Sequence, residues 1–333
     1  MTVSVVIACL SEQAELLKTI RSLRETATCD LDIVIVDDCS RQPLTVPEGV
    51  RLIRNRHNIG VGASRHVGVC AAKFDTVLIT DAHMRFCPGW TEPMGAIETF
   101  GGIPGKGGRG LMLCGQTLAL RETDETWEQH HGLYHGARMV IKDASQPEAR
   151  YRFLNPVWAP EKHVPIPVDL SLILGASPGD EAWYPLSACM GALYAFSRSF
   201  FLKVGGLRML RGFGGDEELL SLKWLRAGGE IRLCKSLRAA HKFVKNNRPR
   251  FPLSMAEILY NKCCIALTCC PTDVAADMIK LLGVGADIRR IHDMVKQNWG
   301  AIAAEKAQLD SIFTLTWEDY MRLVERIDSA APV

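Results

Sequence analysis

The chain has 333 residues, 47% of them hydrophobic, enough for one large core or two modest ones. A formal net charge of +2 gives no global case for a nucleic-acid or membrane-surface partner. No stretch approaches the roughly 18 uninterrupted apolar residues of a membrane span.

Met1-Thr2-Val3-Ser4 carries no basic leader, so no signal peptide is expected. Among the 12 cysteines, Cys9, Cys70, Cys114 and Cys189 sit in apolar runs. Cys263-Cys264 and Cys269-Cys270 lack partners at zinc-finger spacing. Reduced thiols and a cytoplasmic protein are expected.

Residues 3–8 read as a strand, followed by a helix that Ser11 caps, with Leu16, Leu17, Ile20 and Leu23 on its apolar face. Strands follow at 31–36 and 50–54, a helix at 60–72 and a fourth strand at 76–80. Short apolar strands alternating with helices predict a mostly parallel sheet covered on both faces. Ligands then bind beyond the carboxyl ends of the strands. Asp37, Asp38, Asp81 and His83 all fall there.

Residues 101–110, with six glycines, predict a loop. Residues 122–185 are irregular and rich in Trp, His and Pro, the character of a substrate loop or lid. A strand returns at 191–196, and a helix at 216–227 is stopped by Gly228-Gly229. Short strands are expected at 231–233 and 237–241, and helices at 255–267, 274–282, 288–299 and 317–327. Arg248-Pro249-Arg250-Phe251-Pro252 marks a boundary near 250, giving a domain over 1–250 and a helical region over 251–333.

Three clusters carry chemistry. Asp81 and His83 can reach one point at a strand end, where a carboxylate and an imidazole suit a divalent ion such as manganese or zinc. The plain alternative is a capping Asp beside a surface His. Asn58-Ile59-Gly60-Val61-Gly62 opens the helix bearing Arg65, whose guanidinium matches phosphate geometry; a solvated Arg is the alternative. Gly212-Phe213-Gly214-Gly215 delivers Asp216, Glu217 and Glu218 to a helix start, where acids either complement the dipole or take a proton from an attacking hydroxyl. No Gly-x-Gly-x-x-Gly follows the first strand, which argues against a nicotinamide enzyme.

In order, residues 3–8, Val36-Asp37-Asp38-Cys39-Ser40 and the Asn58, Gly60, Ser64, Arg65, Gly68 spacing resemble family 2 type glycosyltransferases of the GT-A nucleotide-diphospho-sugar fold, an α/β Rossmann-like class with a mostly parallel central sheet. Asp81-Ala82-His83, Gly89-Trp90, Gly214-Gly215-Asp216 and His241 are most similar to polypeptide N-acetylgalactosaminyltransferases, over roughly residues 3 to 245. The resemblance implies a UDP-sugar donor. Asp37 and Asp38 would hold the uridine, with Arg65 near the nucleotide. Asp81, His83 and His241 would bind Mn2+, which bridges the donor diphosphate.

Two departures stand out. Glu217 occupies a place where that family has an amide, so the turn also resembles inverting galactosyltransferases. Glu217 is then the expected base, with Asp216 holding sugar or acceptor hydroxyls. The last 80 or so residues are helical, where that family carries a lectin domain. The acceptor is left open among peptide, glycan, small molecule and modified DNA. The DNA alternative, transfer to a hydroxymethylated base, draws on the basic run Lys242, Lys245, Arg248 and Arg250. A nucleotidyltransferase would show a Lys-bearing Gly-rich loop after the first strand, and none is present. A non-catalytic sugar-nucleotide binder would not need the acids at 216 and 217.

Overall fold

A computed structural model describes residues 1–134, 136–140, 155–158, 184–190, 193–243, 253–280 and 288–329. Its strands are β1 (Thr2–Cys9), β2 (Asp30–Asp37), β3 (Arg51–Arg54), β4 (Thr76–Thr80), β5 (Met84–Phe86), β6 (Leu111–Leu120), β7 (Leu133–Tyr134), β8 (Ala137–Val140), β9 (Asn155–Trp158), β10 (Tyr184–Pro185), β11 (Leu193–Ser197) and β12 (Glu230–Lys242). The main sheet runs β10-β12-β6-β11-β4-β1-β2-β3, with β5 on β12 and β7 on β6. β1 is parallel to β2 and β4, and β6 to β12, while β11 is antiparallel to both β4 and β6. This is the mixed, mostly parallel sheet that the sequence led us to expect.

Strand alternation sorts the core into two layers. Val5, Ile7, Ile33 and Ile35 face one side, where α1 (Gln13–Thr26) packs with Leu16, Ile20 and Leu23. Val6, Val34 and Ile79 face the other, beneath α2 (Val61–Ala71). Gly68 lets α2 lie close: a Cβ there would stand 2.3 Å from Val6 Cγ1. Helices α3 (Met94–Phe100), α4 (Arg198–Lys203) and α5 (Asp216–Arg226) complete this part.

The sequence reading differs from the structure in several places. Ser11 does not cap α1; it has φ 60° and Glu12 is the capping position. Its backbone N–H donates to Ser40 Oγ at 2.8 Å, so it ties two loops together instead. Leu17 is exposed, off the buried face of α1. β6 was not anticipated, because Gly115 and Gln116 interrupt its apolar run. Gly115 is required there, since a Cβ would lie 2.5 Å from the Leu237 carbonyl oxygen. The two short strands expected at 231–241 are one strand, β12, with a register shift between Cys234 and Arg238.

The C-terminal helices are α6 (Met255–Cys269), α7 (Thr272–Lys280), α8 (Ile288–Gln297), α9 (Trp299–Ile312) and α10 (Trp317–Ser329). The helix expected over 288–299 ends at Gln297, and α9, which was not anticipated, begins two residues later. Ile265, Cys269, Leu309, Trp317 and Tyr320 join the same core cluster as Phe196 and Trp224. The fully buried Lys223 of α5 meets Glu305 of α9 at 2.6 Å. No described helix is long and apolar enough to cross a membrane. The lid assignment falls largely at 141–154 and 159–183, and the boundary motif at 248–252; both lie outside the described residues.

Candidate active site

A cleft of about 570 Å³ opens beyond the carboxyl ends of β1, β2 and β4. Two groups of residues wall it: Asp38, Arg65, Asp81 and His83 from the strand ends and α2, and the turn 212–218 with Ser254 and Glu257 of the α6 start. This is where the sheet topology places a ligand.

Asp81 follows β4 directly, and His83 leads into β5. Because β5 pairs with β12, His241 lies opposite Met84 and is carried to the same point. One ligand atom from each of Asp81, His83 and His241 lies within 4.8 Å of the others. His83 Nε2 and His241 Nε2 are 3.0 Å apart, and His241 Nε2 is 3.3 Å from Asp81 Oδ2. On its far side, His83 Nδ1 meets Glu12 Oε2 at 2.9 Å. A carboxylate accepts there, so Nδ1 carries a hydrogen and Nε2 is the nitrogen turned to the cluster.

The electrostatics agree with a ligating state. Burial alone would raise the Asp81 carboxyl. The His241 hydrogen bond and the Arg65 guanidinium outweigh it and hold Asp81 well below the carboxylate range. Burial lowers His241, against the pull of Asp81, so the ring is neutral. His241 Nδ1 is buried with no hydrogen-bond partner among the described residues. A carboxylate with two imidazoles is a borderline donor set that fits manganese.

Arg65 was expected near the nucleotide. It lines the cleft, but its guanidinium meets Asp81 Oδ1 at 2.7 Å, pairs closely with Asp216 and lies 3.8 Å from Glu217 Oε1. It joins the two walls of the cleft. Asp37 and Asp38 also differ from each other. Asp37 is fully buried; it accepts from the Ser40 and Leu44 backbone N–H groups and from Arg54, shaping the 38–44 loop. Asp38 reaches the cleft, and its carboxylate accepts from the Ile59 and Gly60 backbone N–H groups at 2.9 and 2.8 Å and from Asn55 at 2.9 Å.

Gly214 and Gly215 have φ of 84° and 90°, so the chain turns sharply into α5. Asp216 is buried on Arg65. Glu217 is pushed well above the usual carboxyl range by burial and by the Asp216 charge, against Arg65. Glu218 is raised by burial, with Lys262 opposing from 3.4 Å.

Lys242 does not belong to a solvated basic run. It is buried and meets Glu15 at 3.2 Å and Glu125 at 3.6 Å. Lys245, Arg248 and Arg250 lie outside the described residues. Glu12, Asn55, Glu257 and Asn261 were not singled out in the sequence, where nothing marks their long-range partners.

Comparisons with known proteins bear on this arrangement. Residues 4–96 match the family model for Glycosyl transferase family 2. Polypeptide N-acetylgalactosaminyltransferase 15 of Homo sapiens is 26% identical over 277 residues, which are 79% of this chain and 39% of that protein. A crystal structure of GalNAc-T7 with UDP, GalNAc and Mn2+ is similar with a TM-score of 0.66 at 18% identity, covering 100% of this chain and 58% of that one. S. aureus TarS 1-349 in complex with UDP-GlcNAc is similar with a TM-score of 0.50 at 13% identity, covering 99% and 84%. The chain spans less than half the length of the curated polypeptide N-acetylgalactosaminyltransferases it matches. Over residues 4–96 the chain is thus similar to glycosyl transferase family 2, and its fold is that of GT-A glycosyltransferases.

Proposed function

We propose that the chain is a metal-dependent glycosyltransferase that moves a sugar from a UDP-sugar to an acceptor hydroxyl with inversion. The observation that carries this reading is the convergence of Asp81, His83 and His241 beside a cleft that Asp81, His83 and Glu217 line. Mn2+ held by those three side chains would neutralise charge on the leaving diphosphate. The donors named for GalNAc-T7 and TarS, with the Mn2+ of the former, support the choice of donor and ion.

In an inverting transfer the hydroxyl attacks from the face opposite the diphosphate, and a base on that face takes its proton. Glu217 takes this role in our reading: it lines the cleft, and its raised pKa makes it the stronger base once ionised. Asp216 faces Arg65 rather than open space, so it supports the base by holding the turn to the metal wall. Asp38 frames the nucleoside side of the cleft. Residues 1–250 form the transferase domain in this reading, with 251–333 as its helical companion. Twelve free cysteines, most of them buried, support a reducing, cytoplasmic setting.

The test is hydrolysis of a panel of UDP-sugars with Mn2+ and with chelator. Metal-dependent release of UDP from one of them is expected. No turnover of any UDP-sugar, or synthesis of a sugar nucleotide from UTP and a sugar phosphate, would defeat the proposal.

A further inference from the structure

We infer that Asn261, on the C-terminal helix α6, is a positioning residue that clamps the glycine-rich turn and so sets the place of Glu217. The inference rests on the cleft being the transferase site proposed above.

The turn has little to hold itself. Gly212, Gly214 and Gly215 all have positive φ, and glycine is the residue with the most backbone freedom to lose. Its shape must therefore be imposed from outside. On one side, the Val61 backbone N–H donates to the Gly212 carbonyl at 3.1 Å, and the Gly212 N–H donates to the Ile59 carbonyl at 3.3 Å. On the other side stands Asn261, fully buried. Its Oδ1 accepts from the Arg211 N–H at 2.9 Å. Its Nδ2 donates to the Arg211 carbonyl at 2.7 Å and the Gly214 carbonyl at 2.7 Å, with the Phe213 carbonyl at 3.5 Å.

This pattern fixes the amide orientation, because one partner is a donor and the others are acceptors. It also gives partners to one N–H and three carbonyls of the turn. The helix lies close enough that side chains on the turn would collide with it. A Cβ at Gly215 would stand 3.1 Å from Asn261 Cβ, and one at Gly212 would stand 2.2 Å from Glu257 Oε2. Two residues after Gly215, Glu217 projects from the first turn of α5, so any slip of the turn moves the base.

Asn261→Asp keeps the shape and the acceptor while removing both donors. Asn261→Ala removes all the bonds and serves as the second variant. In the full chain, backbone amide exchange over 211–219 should quicken in both, with Mn2+ affinity unchanged, since the hydrogen bonds of Asn261 go to the turn and to none of Asp81, His83 and His241. The kcat for Mn2+-dependent hydrolysis of UDP-GlcNAc or UDP-GalNAc should fall roughly 10- to 100-fold, as expected for a misplaced catalytic group, with KM little altered. Asn261→Asp should show this split even if Asn261→Ala unfolds more widely. Unchanged exchange over 211–219, or an unchanged kcat, would overturn the inference. A wild-type chain that turns over no UDP-sugar would defeat the functional reading instead, and the exchange data would still decide whether Asn261 clamps the turn.

Discussion

Arg65→Met tests how the two walls of the cleft are held together. Arg65 is 4% exposed, and its one positive charge faces Asp81, Asp216 and Glu217. Methionine keeps much of the stem and deletes the charge, leaving buried carboxylates without their cation. Removing one partner of a buried pair costs about 3–5 kcal/mol. Two carboxylates in direct contact place this case toward the upper end. The loss has a definite pH dependence. Without Arg65 the carboxyls bind protons more tightly in the native state than in the unfolded chain. The native state is then penalised more as pH rises, by at most about 1.4 kcal/mol per pH unit for each proton. Urea unfolding of both proteins from about pH 5 to about pH 8 should show a gap that widens with pH. Mn2+ should stabilise each protein by about 2.7 kcal/mol when free ion exceeds its Kd by about 100-fold, so the gap between them should persist. A gap below about 1 kcal/mol, or one flat across pH, would refute the view that Arg65 compensates these acids.

The other predictions concern the metal, the base and the acceptor. His241→Ala should sharply weaken Mn2+ binding in calorimetry, and Glu12→Gln should weaken it about 10- to 100-fold by loosening His83. Glu217→Gln should lower transfer about 100- to 10,000-fold while leaving donor binding in place, and the product anomer read by NMR should be inverted for the wild type. Activity should rise as pH passes upward through the raised Glu217 pKa, and over the same range Glu217 should make the native state less stable, because the folded protein holds that proton more tightly. Duplex DNA should bind without a steep salt slope, since Lys242 is engaged by Glu15 and the described cleft lining is rich in acids.

Local pattern carried much of this molecule. The apolar runs of β1, β2 and β4 and the periodic face of α1 needed no partner to be recognised. Asp81 and His83 were legible because they sit two residues apart; His241 joined them through resemblance. What stayed hidden depends on distant chain. Gly115 breaks an apolar run, yet it is the residue that lets β6 approach β12. Arg65 looks like a phosphate ligand on its own helix, and only the fold shows Asp216 beside it, 151 residues away. Asn261 reads as one of several polar residues in a largely apolar helix; its role appears only when the turn 211–214 is laid against it. Lys242 was misjudged because burial cannot be read from a basic run.

Ser11 and Cys39, with φ of 60° and 65°, are the two non-glycine residues in left-handed conformation among those described. They stand in the loops after β1 and β2, and Ser11 is hydrogen-bonded to Ser40 and Arg41. The conformation disfavours a side chain by about 1–2 kcal/mol each. Glycine would relieve this while adding about 0.5–1 kcal/mol of unfolded-chain freedom, so stability would change little. The two positions are therefore good places to alter suppleness separately from stability: a glycine there would loosen the rim that carries Glu12 and Asp38 at almost constant melting temperature.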